Sequence, residues 1–67
     1  MAGRQIIVTD PDQLVYASPI PTDAHLALFQ DGMLLVIGQE YTLGPDAGEI
    51  TLSSNPRVGD VLEFRRL

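Results

Sequence analysis

Cysteine, tryptophan and lysine are all missing from this sequence, and histidine occurs once. Without cysteine there are no disulfides and no thiolate metal sites, and a single histidine rules out a His-rich one. Without lysine, four arginines face nine acidic residues, for a formal charge of −5. Nucleic-acid binding needs a basic face that displaces counterions, so that class is excluded, and anionic membrane surfaces are disfavoured on the same ground. Long apolar runs are lacking too. The longest, Met33 to Ile37, is far too short to cross a bilayer. The opening residues lack the basic, apolar and small-residue order of a secretory leader, so synthesis in the cytoplasm is expected. No stretch carries helical periodicity, and no helix is expected.

What is present is apolar residue in short runs, cut by glycine, proline and aspartate. With 67 residues the chain makes one domain. A core of that size supplies only ~3–5 kcal/mol of net stability, and small proteins usually add disulfides, a metal or association. Association is the remaining supplement, and the 45% hydrophobic content fits it.

Taken in order, Met1 to Gly3 reads as an irregular end and Arg4 to Thr9 as a strand, with Ile6, Ile7 and Val8 favouring it. Asp10-Pro11-Asp12 stops that strand, and Gln13 to Ala17 forms a second with Leu14 and Tyr16 on one face. Ser18 to Asp23, with Pro19 and Pro21 one residue apart, cannot be helical and reads as a strap across an edge or end of a sheet. Residues 1–24 thus supply an N-terminal strand and a Pro-rich strap, and residues 25–67 two consecutive hairpins. The first hairpin turns at Asp31-Gly32 between apolar runs, the strongest short-range hairpin signal, because a type I′ turn needs positive φ at both positions. Its second arm runs from Met33 to Ile37, and Gly38 bends the chain into Glu40 to Leu43. Gly44 to Gly48 is the next turn, Glu49 to Ser53 the most regular strand, and Val61 to Arg66 the last one. The expected fold is all-β, a small antiparallel sandwich or partly open barrel of about five to six short strands.

The pattern Phe29-x-Asp31-Gly32-x-x-Leu35-x-x-Gly38-x-x-Tyr41, then Ile50-x-Leu52, then Pro56-x-x-Gly59-Asp60-x-Leu62 resembles a small β module of bacteriophage virion proteins. That module recurs in tail-fibre, baseplate and capsid-surface proteins, where the usual form has Asn-Gly at the turn and Asp-Tyr after the bend. Here Asp31 stands for the Asn and Glu40 for the Asp; the resemblance covers Phe29 to Phe64 and leaves the first 24 residues unmatched. The motif positions have structural reasons of their own. Asp31-Gly32 makes a turn, Gly38 a bend, and Gly59-Asp60 the entry to the last strand, so the match does not by itself carry an activity. What the resemblance implies is a non-enzymatic structural component of the virion, a capsid cement or decoration protein or a tail attachment protein. Its partners would be copies of itself, trimers above all because capsid three-fold sites and fibres demand them, and other virion proteins.

Candidate chemistry is sparse. Asp10, Asp12 and Asp23 offer oxygen ligands for calcium, but each flanks a turn and no EF-hand spacing surrounds them. Asp23 with His25 suggests an acid–base pair, yet no motif places a nucleophile beside it. Tyr16, Phe29, Tyr41 and Phe64 form either a sugar-stacking platform or core, and Tyr16 is the one expected to be exposed. Arg65-Arg66 reads as an exposed strand end. No catalytic residue, cofactor or metal is assigned. The feature that escapes a plain reading is the first hairpin, apolar on both faces. Ala27, Phe29, Leu34 and Val36 share the face expected to be buried between subunits, with Ile7 beside them. The alternative is a stand-alone carbohydrate- or peptide-binding β module, working through exposed aromatics or a free sheet edge.

Overall fold

The computed structural model describes residues 4–67; the first three, expected to be an irregular end, lie outside the described residues. The chain is all-β and forms two antiparallel sheets. The strands are β1 (Arg4–Ile7), β2 (Val15–Ala17), β3 (Leu26–Gln30), β4 (Met33–Leu34), β5 (Tyr41–Leu43), β6 (Glu49–Leu52) and β7 (Val61–Arg66). The larger sheet has the order β1-β7-β3-β4 and the smaller one β2-β6-β5, so this is an open sandwich and not a closed barrel. Among the described residues there are seven strands where five to six were expected, the short β4 and β5 falling in different sheets.

Local chemistry explains the path. Asp31 and Gly32 sit at φ 52° and 85°, as a type I′ turn requires, and Gln30 pairs directly with Met33 across it. The turn is also tied to β7: Asp31 N–H donates to Val61 O and Val61 N–H to Asp31 Oδ1, both at 2.9 Å. Asp60 closes the preceding loop, its Oδ2 accepting from Arg57 N–H at 2.9 Å and from Gln30 Nε2 at 2.8 Å. The second hairpin turns through Gly44–Gly48, with a cis Gly44-Pro45 bond and Gly44 N–H donating to Glu49 O at 2.7 Å. The proline strap carries the chain from β2 in one sheet to β3 in the other, with Ile20 packed against the core.

The core lies between the sheets. Leu26, Leu28, Leu62, Phe64 and Val8 come from the larger sheet or its extension, and Tyr16, Tyr41, Ile50 and Leu52 from the smaller. Ile6, Leu14 and Leu35 pack around them. Period-two alternation therefore works as expected in β3, β6 and β7. It fails after Leu35. The second arm of the first hairpin, expected to run through Ile37, ends its ladder at Leu34. Val36 is drawn into a tight turn instead: its carbonyl accepts from Gln39 and Glu40, and its N–H donates to Glu40 Oε1 at 2.8 Å. Among the described residues no polar or charged side chain is buried, so the acidic charge lies on the surface.

Candidate functional site

The outer face of β3 is where sequence reasoning placed a subunit contact. Ala27 and Phe29 do point away from the core, in register with Arg65 and Glu63 of β7. Arg65 starts opposite Ala27 and its guanidinium lies 4.9 Å over the Phe29 ring, so its stem crosses this face. The same guanidinium pairs with Glu63 at 3.0 Å. Ala27 is consequently 3% exposed within the single chain and offers no contact surface of its own, while Phe29 is half-covered. Leu34 and Val36 remain open at 59% and 48%. Met33 and Ile37 join them at 71% and 55%, two residues the face argument left out. The sequence signal for both was the unbroken apolar run between Gly32 and Gly38, longer than a two-residue ladder needs.

These side chains lie on and just beyond a free sheet edge, since among the described residues β4 pairs only with β3. Leu35 N–H donates to Leu28 O at 2.8 Å, and in an antiparallel ladder the neighbouring residue then turns its own N–H and C=O the other way. The main-chain groups of Leu34 therefore face outward. Beside the edge is a shallow cleft of about 260 Å³ lined by Gln30, Asp31, Met33, Leu35 and Glu40. Its lining combines the apolar Met33 and Leu35 with the acidic Asp31 and Glu40, so it suits an extended apolar segment or a cation on an apolar stem.

The other candidates disperse. Asp10 Oδ1 accepts from Asp12 N–H at 2.9 Å, and Asp23 accepts from His25 N–H at 2.9 Å and pairs with Arg66 at 2.9 Å. Among the described residues no three His, Cys, Asp or Glu side chains group so as to hold a metal ion. His25 meets Asp23 through its main chain, and both are exposed. Tyr16 is not the exposed aromatic expected. It is 4% exposed, because it points inward opposite Ile50 in the β2–β6 ladder. Tyr41 and Phe64 are buried as well, so no stacking platform forms. Burial pushes the Tyr16 phenol above its usual range, with a smaller contribution from the Asp10 charge, and burial does the same for Tyr41. Asp60 is held below the usual carboxylate range, first by the Arg57 amide and then by Gln30. Gly38 and Gly59 sit at φ 87° and 93°, backbone roles at a bend and a loop. Set against family models, curated proteins and solved structures, the chain matches none of them.

Proposed function

We propose that this chain is a non-enzymatic structural component of a bacteriophage virion, a self-associating β module that acts as capsid cement, decoration or tail attachment protein. The observation that carries the self-association is the open β4 edge with Met33, Leu34, Val36 and Ile37 about half or more exposed. The virion assignment draws on the resemblance over Phe29 to Phe64. Covering the four side chains between copies is the mechanism, and the acidic surface keeps the assembly soluble.

Magnitudes constrain the stoichiometry. Fully burying one aliphatic side chain is worth ~1.5–3 kcal/mol, so covering four that are already partly covered gives about 4 kcal/mol per copy. Association costs at least about 4 kcal/mol in lost freedom. One apolar patch alone breaks even, and a closed assembly, in which every copy makes two contacts, is favoured. That agrees with a trimer.

Light scattering behind size exclusion, over a concentration series, is the test. The expected result is a discrete species at a fixed multiple, three above all, of the 7.3 kDa chain mass. A folded monomer at every concentration would sink the self-association. Virion membership is checked by gradient purification of particles, which should retain the protein in fixed proportion. A peptide-binding module is the second reading, and the cleft beside the free strand favours it. Its carbohydrate version loses its named contact with the burial of Tyr16.

A further inference from the structure

We propose that copies of this chain associate head to tail through the two unlike edges of the larger sheet, β1 of one copy adding antiparallel beside β4 of the next. This rests on the self-association reading and specifies its geometry. Strand direction alternates through β1, β7, β3 and β4, so β1 and β4 run oppositely, and a neighbouring β1 continues the antiparallel order. The main-chain groups match as well. Val8 N–H donates inward to Asp60 O at 2.9 Å, which turns the N–H and C=O of Gln5 and Ile7 toward the free side of β1. Those of Leu34 face the free side of β4. Setting Ile7 opposite Leu34 joins the main-chain groups of those two residues, while Gln5 comes opposite Val36, whose N–H and C=O are already engaged with Glu40 and the turn, so the ladder between copies is short.

The side chains agree with that register. Ile7 shares the outer face with Val61, and Leu34 shares it with Phe29, so two aliphatics that are 53% and 59% exposed come together. On the inner face Ile6 comes opposite Leu35, both already packed at the margin of the core. Arg4 comes alongside Ile37, at the turn that ends in Glu40.

Charge selects the unlike edges over the like ones. Arg4 has no ion-pair partner among the described residues, whereas the Glu40 carboxylate lies just beyond the β4 edge, where it accepts from Val36 N–H. Between two β1 edges the strand residues offer Arg4 no carboxylate, and between two β4 edges they offer Glu40 no cation. Unlike edges attract. Such a contact is heterologous, so it closes into a ring when the rotation per copy permits, and three copies satisfy the trimer.

Edge-specific variants at exposed positions test the idea. Arg4→Glu with Ile7→Glu blocks β1, and Leu34→Lys blocks β4. Each variant alone is expected to run as a folded monomer. A one-to-one mixture keeps one intact β4 beside one intact β1, a single contact, and is expected to give a weak heterodimer of twice the chain mass that grows with concentration and that neither variant gives alone. A β1 variant that still assembles like the unaltered protein overturns the head-to-tail geometry and leaves self-association standing. Dimers of the β1 variant alone would assign the contact to paired β4 edges and overturn it too. An unaltered protein that is monomeric at every concentration overturns both readings. Circular dichroism reports whether each variant folds; if one does not, Arg4→Gln and Leu34→Thr replace the pair, with the same masses deciding.

Discussion

At the scale of single residues, the positions that matter are those where burial and hydrogen bonding coincide or part. Tyr16 is 4% exposed, yet among the described residues its hydroxyl has no hydrogen-bond partner. Tyr16→Phe is therefore expected to leave the melting temperature unchanged or raise it, since an unpaired buried hydroxyl costs about 1–3 kcal/mol. Tyr16→Ala removes the ring itself and is expected to cost about 3–5 kcal/mol, close to the whole stability of so small a core. Both are read by thermal melts followed by circular dichroism, and an unchanged melt for the alanine variant would contradict the burial. Sequence reasoning misjudged this tyrosine because two alternating residues, Leu14 and Tyr16, do not say which of their faces meets a partner sheet. Ala27 went astray for another reason. Its face was read correctly, but the arginine that covers it lies 38 residues further on, beyond any local pattern. Arg65→Ala is expected to uncover Ala27 and Phe29 at a modest cost, about 0.5–1 kcal/mol for the lost cation–π contact.

Among the elements, the first hairpin was the most legible, and its turn explains why. Asp31 and Gly32 both need positive φ, and Asp31 also accepts the Val61 amide, so one dipeptide fixes a turn and a contact between β3–β4 and β7. Asp31→Ala with Gly32→Ala is expected to cost roughly 3 kcal/mol, from two left-handed alanines at about 1–2 kcal/mol each plus a hydrogen bond. The space beside Gly32 is open, so the penalty is one of backbone conformation and not of clash. Asp31→Asn keeps both the acceptor and the tolerance for left-handed backbone, and should melt within a degree or two of the unaltered protein. Strands β6 and β7 were equally legible, having clean alternation between turn residues. The two-residue β4 was not, because Met33 to Ile37 is apolar throughout and carries no period. What ends its ladder is the pull of Glu40 on Val36, a contact set by the bend at Gly38. The candidate edge was therefore visible as an apolar excess and invisible as a place.

For the whole molecule, stability is expected to be flat across neutral pH and to fall on both sides. Asp60 has a lowered pKa when folded, so its contribution is present above the ordinary carboxylate range and is lost on acidification below about pH 4. Tyr16 and Tyr41 have raised pKa values when folded, so their neutral forms support the fold at lower pH, and that support is lost as pH rises beyond about 10. Chemical denaturation at a series of pH values checks both arms, and an alkaline limb absent in Tyr16→Phe would assign that side to the phenol. The all-β class followed from strand length and turn spacing, whereas the choice between sandwich and partly open barrel did not, because nothing local says which strands become neighbours. The sheet order has a consequence for synthesis. β7 lies between β1 and β3 and, among the described residues, is the one strand that β1 pairs with. While the polypeptide emerges from the ribosome, β1 has nothing to pair with until Arg66 has cleared the exit tunnel. β1 thus waits for a strand made much later, and a ribosome stalled before β7 would hold a chain whose larger sheet is reduced to one hairpin.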